Sequence, residues 1–250
     1  MKEKKVKGRW MMKSKMDLHT HTIASGHAYN TRKEMIAAAC EKGLELLAIT
    51  EHAPAMPGSC QQIYFSNFRV LPRRHENMTV LYGAELNILD YEGHVDLPDE
   101  ILKEMDVVLA SIHPPCYVSG TTEENTAAYL GAMKNPYVNI IAHPDDSRFP
   151  IDYEQVVKAA KEYHVLLEVN NTSVSPLSFR MNARENYLRM LDLCVRYQVP
   201  IVVDSDSHVD VLVGSQEYAL EMLDEMGFPE ELIMNTKGDA IYDYINYSPK

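Results

Sequence analysis

The sequence predicts an α/β fold in the form of a parallel barrel, and three observations carry that expectation. Seven short runs of apolar and β-branched residues recur along a chain of 250 residues. Segments of helix length, many with one apolar face, separate most of them. Histidines and carboxylates collect at the C-terminal ends of the runs, where a parallel barrel delivers its strand ends to one mouth. Alternation over the full length implies parallel pairing through right-handed crossovers. Seven units suggest a closed or nearly closed barrel, with an open doubly wound sheet as the alternative.

The runs are Lys15–His21, Glu45–His52, Met78–Leu86, Asp106–His113, Val138–His143, Val165–Asn170 and Pro200–Asp206. Near-continuous apolar stretches of about four to eight residues are the mark of strands buried on both faces. Between them, Asn30–Lys42 carries Met35, Ile36, Ala38, Ala39 and Cys40 on a helical pattern and stops at Gly43. Thr122–Met133 opens with Thr-Thr-Glu-Glu, a capped helix start, and ends before Asn135-Pro136. Asp152–Tyr163 groups Val156, Val157 and Ala160 on one face, and Asn182–Tyr197 groups Tyr187, Leu188, Leu191, Cys194 and Val195. Val211–Met226 and Asp239–Tyr247 are expected to be helical, punctuated by Gly227 and Pro229. The proline-rich segment Pro54–Pro72 reads as a long loop leading into irregular helix.

Composition narrows the function classes. Hydrophobic residues make up 46% of the chain, enough for a substantial core. A formal net charge of −12 argues against a nucleic-acid surface, which needs a basic stripe. An anionic substrate stays possible if bound metal supplies positive charge locally. Cys40, Cys60, Cys116 and Cys194 show no paired spacing and are expected as buried free thiols. Residues 1–16 form a short basic leader without the apolar run of a signal peptide, and Met11, Met12 and Met16 offer later starts. No apolar stretch approaches a membrane span, and a cytoplasmic location is expected. Residues 17–250 read as one domain.

The chemistry is carried by residues at the strand ends. In Asp17-Leu18-His19-Thr20-His21, side chains two apart share a face of an extended chain, so His19 and His21 form a pair. His52, Glu85, His113, His143 and Asp206 lie at or just past the ends of five later runs. Asp206-Ser207-His208 repeats the two-residue spacing, and His27 follows in a Ser-Gly loop. His75, His94 and His164 are read as surface or loop residues. Seven imidazoles and two carboxylates exceed the three protein ligands that a catalytic zinc commonly takes, and suit two or three ions. Imidazole-dominated sites favour zinc, with manganese or iron possible.

These residues resemble a known family. DLHTH, His27, ITEH at His52, GAEL with Glu85, ASIHP with His113, IAHP with His143 and SDSH with Asp206 and His208 are similar to the PHP (polymerase and histidinol phosphatase) superfamily. Thr22–Tyr29, the A-I-T-E-H-A-P run and Glu168–Ser173 bring the chain nearest its small stand-alone YcdX-like branch. The resemblance runs from about residue 16 to the end. It implies a distorted seven-stranded TIM-like barrel with a three-ion site at the C-terminal rim, typically of zinc. His19, His21, His27, His52, Glu85, His113, His143, Asp206 and His208 match the family's ligand positions. His27, His52 and His208 would share one ion, with Glu85 bridging the others. Glu51, where many relatives carry Asp, and Asp204, where many carry a small residue, are the departures.

The activity so implied is hydrolysis of a small anionic phosphomonoester. A metal-bridging hydroxide, held among Glu85, His19, His21 and Asp206, would attack phosphorus in line. Asp17 is a candidate to orient a ligand imidazole, and Tyr29 and Asn170 to line the pocket. Arg32, Arg73, Arg148 and Arg180 are the candidate phosphate contacts, Arg73 first because the proline-rich loop before it would cap the mouth. The alternatives are a phosphodiesterase or exonuclease of the kind attached to polymerases, and a metal-stabilised binding module without turnover.

Overall fold

The computed structural model describes residues 14–249. The expected leader therefore falls largely outside the described residues. Eight strands form one sheet: β1 (Met16–Asp17), β2 (Leu46–His52), β3 (Arg74–His75), β4 (Met78–Asn87), β5 (Val107–Ser111), β6 (Ile140–Ile141), β7 (Leu166–Asn170) and β8 (Ile201–Asp204). The order is β1-β2-β4-β5-β6-β7-β8, every neighbouring pair parallel, with β3 a short antiparallel hairpin arm on β4. All seven predicted runs are strands of a nearly closed barrel, and the open-sheet alternative falls away.

The helices are α1 (Arg32–Lys42), α2 (Gln62–Ser66), α3 (Asp99–Leu102), α4 (Thr122–Met133), α5 (Tyr153–Tyr163), α6 (Asn171–Val174), α7 (Ala183–Tyr197) and α8 (Glu217–Met226). The first and fourth begin with reciprocal caps, Thr31 with Glu34 and Thr121 with Glu124, which satisfy amide groups the first turn leaves open. Asp152 caps α5 by accepting from the amides of Glu154 and Gln155. The helix expected over Val211–Met226 is broken. Gly214 sits at φ 68°, donating its N–H to Asp17 Oδ2, so a 3-10 turn at Asp210–Leu212 precedes α8. Asp239–Tyr247 is likewise a 3-10 segment, Gly238–Asp243, followed by irregular chain.

Two apolar layers follow from strand alternation. Leu47, Ile49, Val108 and Val203 face the helices, while Leu46, Ala48, Leu81, Leu109 and Val202 fill the barrel, and Met234, Ile241 and Ile245 join this inner cluster. The free thiols of Cys40, Cys60 and Cys116 are only partly covered; Cys194 alone is buried as expected.

The barrel closes by side chains where β1 meets β8. Asp17 accepts from the amide and hydroxyl of Ser205 at 3.0 and 2.5 Å, and Asp204 accepts from the Leu18 amide at 2.7 Å. Gln216 Nε2 spans the gap, donating to the carbonyls of Met16 and Val203. Thr20 and Ser207 add one parallel bridge. This seam holds His19 and His21 beside Asp206 and His208. The expectation that Asp17 orients an imidazole is thus corrected: its oxygens are occupied by the seam.

Candidate metal centre

Alternation delivers several of the site residues. On β2, β4 and β5, the parity that puts Ala48, Leu81 and Leu109 inside the barrel carries on to His52, Glu85 and His113. His143 is different, because Ala142 before it already faces inward. Its φ of 35° breaks the alternation, and Asp206 has a comparable φ of 53°. Non-glycine residues in this region are strained, and such strain gathers at functional sites. His27 is set by a close crossing of two loops. A Cβ on Gly26 would lie 2.4 Å from the Gly58 backbone, so only glycine there lets the loop pass.

All nine candidate ligands converge. Glu85 is wholly buried at the centre. Its Oε1 lies 2.7 Å from His143 Nε2 and 3.2 Å from His113 Nε2. Its Oε2 lies 2.7 Å from His52 Nδ1, 3.3 Å from His19 Nε2 and 3.5 Å from His21 Nε2. Asp206 Oδ1 is 3.2 Å from His21 Nε2 and 3.6 Å from His19 Nε2. His27 Nε2 stands 3.2 Å from His52 Nε2 and 3.1 Å from His208 Nε2.

Hydrogen bonds account for only part of these contacts: His143 Nε2 with Glu85 Oε1, and His27 Nε2 with His52 and His208. Among the described residues, His19 Nε2, His21 Nε2, His52 Nδ1, Glu85 Oε2 and Asp206 Oδ1 are buried and lack hydrogen-bond partners. Buried polar atoms without partners cost about 1–3 kcal/mol each, and a cluster of them around shared centres is the donor set of a cation site. Ligand atoms about 2.0–2.1 Å from a tetrahedral zinc lie roughly 3.3 Å apart, close to the spacings here. The residues fit divalent metal.

The outer contacts orient the imidazoles. His19 Nδ1 lies 2.6 Å from Glu168 Oε1, His21 Nδ1 3.0 Å from Ser25 Oγ, and His113 Nδ1 2.8 Å from Asn87 Oδ1. Ser25 in turn donates to Glu51 at 2.6 Å, and His208 Nδ1 donates to the Asp206 carbonyl at 3.0 Å. With Nδ1 protonated toward these partners, each Nε2 lone pair faces the centre. Asn170 Nδ2 steadies Asp206 Oδ2 at 3.0 Å. Glu51 and Asp204 are wholly buried, which excludes a surface role for either departure from the family pattern.

Electrostatics agree with this arrangement. Burial works against the charge of Glu85, yet the imidazoles of His113, His19 and His52 hold its carboxyl well below the usual range. Asp206 is held low in the same way by His19, His21 and His208 against its burial. Burial, with His52 and His208 close by, pushes His27 down to about 4 and His21 well below its ordinary value. Neutral imidazoles and ionised carboxylates are the forms that bind metal. His19 is the exception: against its burial, the charges of Glu168, Asp206 and Glu85 push it well above its ordinary value, and a bound cation would have to displace that proton.

A cavity of about 640 Å³ opens over the centre, lined by His27, His52, His113, Asp206, His208 and Arg180 together with an apolar wall. The four arginines separate here. Arg180 reaches the cavity from the loop between α6 and α7, its guanidinium 3.9 Å from buried Asp145. Arg148 stands just behind, bound to Asp146. Arg73, the first choice, is misplaced: it is tied at 2.8 Å to Asp106, which precedes β5 at the opposite end of the barrel. The proline-rich loop does reach the mouth, but through Met56 and Pro57. Arg32 lies over Tyr82 and donates to its hydroxyl at 3.0 Å, away from the cavity wall. Tyr29 is exposed and outside that wall. Sequence reasoning missed Glu168, Ser25 and Asn87. A carboxylate inside the apolar run VLLEVN was the available signal for the first.

The profile of the PHP domain family matches residues 17–175. A probable phosphatase of Clostridium novyi (strain NT) is 45% identical over 239 residues, covering 96% of this chain and 97% of that protein. A probable phosphatase of Caldicellulosiruptor bescii is 43% identical over 235 residues, covering 94% and 97%. Among solved structures, histidinol phosphate phosphatase from Lactococcus lactis, complexed with zinc, L-histidinol and phosphate, is similar in fold. It superposes with a TM-score of 0.60 at 19% identity, covering 86% of this chain and 95% of that one.

Proposed function

A member of the PHP domain family, this chain is a metal-dependent phosphoric monoester hydrolase, and we propose that it removes phosphate from a small anionic phosphomonoester at a centre of three zinc ions, manganese or iron being alternatives. In this reading His27, His52 and His208 would hold one ion. His19, His21, His113, His143 and Asp206 would hold the other two together with Glu85. Residues 17–250 act as one catalytic domain, since six of the seven parallel strands of one sheet lead into the ligands and the seventh, β7, supplies Glu168 behind them.

One observation carries the reading: the two oxygens of Glu85 face different groups of imidazoles, His113 and His143 on one side and His19, His21 and His52 on the other. A carboxylate placed so is suited to bridging. When bound, the ions supply Lewis-acid polarisation of phosphoryl oxygens and lower the pKa of water toward ~7.

The chain's own residues do the rest. Glu168, Ser25 and Asn87 fix imidazole orientation, so the ligand atoms need little rearrangement as charge develops. Arg180 adds a cation at the wall, where a phosphate oxygen can accept its N–H groups. Such a local cationic site draws an anion despite the chain's net charge of −12. No helix among the described residues is long and apolar enough to cross a membrane. The test is an assay of metal-loaded protein on glycerol phosphate and on a phosphodiester. Turnover of the monoester is expected; turnover of the diester alone would overturn the proposal.

A further inference from the structure

Beside the ions' site, the cavity wall is apolar and unusually exposed. Phe179, next in sequence to Arg180, is 69% exposed, and Leu177 on the same loop is 89% exposed. An exposed Phe is commonplace singly, but this one is fixed. The guanidinium carbons of Arg148 and Arg180 lie 5.5 and 5.6 Å from its ring centroid, within cation–π range, and Arg148 is itself anchored on Asp146. Met56, Pro57, Pro114, Pro115 and Leu212 line the same cavity. Prolines present rigid, flat apolar faces that suit contact with a ring. Among the described residues, the only carboxylate on the wall is Asp206, already committed to the imidazoles.

We infer that the substrate is a phosphomonoester whose leaving group carries an uncharged aromatic ring, seated against Phe179. This rests on the phosphatase reading and deepens it. A phosphate at the ions and Arg180 directs its ester arm outward along the wall, and the residue adjoining Arg180 is the ring of Phe179. An arm rich in hydroxyls would meet proline, methionine and leucine along most of the wall, with Thr172 and Ser178 the uncharged polar side chains on it and the Thr172 hydroxyl already donating to the Ser205 carbonyl. An arm bearing an ammonium would find no free carboxylate there. A flat neutral ring meets neither cost, and aromatic pairs gain beyond area alone.

Phenylethyl phosphate, glycerol phosphate and L-histidinol phosphate all release an alkoxide, so they differ mainly in the arm. With metal-loaded enzyme, kcat/KM for phenylethyl phosphate should exceed that of the other two by roughly 10-fold or more, the scale of one good apolar contact. Phe179→Ala should shrink the ratio to within about twofold, and Phe179→Tyr should restore it. Equal kcat/KM on all three substrates, or a ratio that survives Phe179→Ala, overturns the inference while the phosphatase reading stands. Turnover of none of the three overturns that reading and this inference with it. Because Phe179 is exposed, circular dichroism should show its variants folded.

Discussion

Glu168 Oε1 lies 2.6 Å from His19 Nδ1, with both side chains wholly excluded from solvent. The same carboxylate accepts the His143 amide at 2.8 Å through its other oxygen. One residue of β7 therefore orients a candidate ligand from β1 and fixes the backbone of another beyond β6. Replacing it by Gln presents an N–H where His19 needs an acceptor and favours the wrong tautomer. Glu168→Gln is expected to weaken metal affinity by roughly 10–100-fold, as outer partners of metal-bound imidazoles do. Competition against a chromogenic chelator measures this directly; an unchanged affinity would count against the orienting role.

Removing the metal should destabilise the fold. The buried lone pairs around Glu85 would then face one another with nothing between them. Ligand present at a hundred times its Kd contributes about 2.7 kcal/mol, which shifts Tm by roughly 5–10 °C in a domain of this size. Calorimetry with and without a chelator should show the loss, reversed by adding zinc. A Tm indifferent to chelation would mean that the site does not hold metal in the folded state.

The central carboxylate should matter more than any outer one. Glu85→Gln keeps the volume and removes the charge facing five imidazoles. A loss of kcat of roughly 100-fold or more is expected, since metal-ion stabilisation contributes several kcal/mol. Metal content of the purified variant should fall together with its rate.

The arginines give opposite signatures. Arg180→Ala should cut kcat/KM roughly 10–100-fold, the scale of a lost charge-assisted hydrogen bond. Arg73→Ala should leave kcat and KM unaltered but destabilise the fold by about 1–3 kcal/mol, by stranding Asp106. Steady-state kinetics and urea titrations on the two variants separate the roles.

Closure of the barrel is testable on its own. Asp17→Ala strips acceptors from the Ser205 amide and hydroxyl and from the Gly214 amide. Buried donors left open cost about 1–3 kcal/mol each, so a loss of roughly 3 kcal/mol or more is expected by urea unfolding. Asp17→Asn, which keeps one acceptor, should lose less.

The strands were legible because both of their faces are buried, so apolar runs such as Val165–Asn170 stand out from the amphipathic helices. The ring of candidate ligands was legible because parallel topology sends every strand end to one rim. Its outer partners were not. Glu168 lies in the middle of a strand, and sequence alone does not tell which imidazole it will meet across the barrel. Arg73 was misplaced for a related reason. The loop before it does approach the mouth at Met56 and Pro57, but the chain then returns to the far end before β4 begins. His143 shows a third limit: its entry to the site depends on a left-handed backbone angle that neither periodicity nor composition reveals.

Glu85 is proposed to lie between two of three bound ions. Elemental analysis of fully loaded protein, with anomalous diffraction at the zinc edge, tests it most directly. Three peaks are predicted at the mouth, one amid His27, His52 and His208 and two flanking Glu85. Fewer than two peaks there, or metal only at the exposed group of Asp90, Glu92 and His94, would contradict the account.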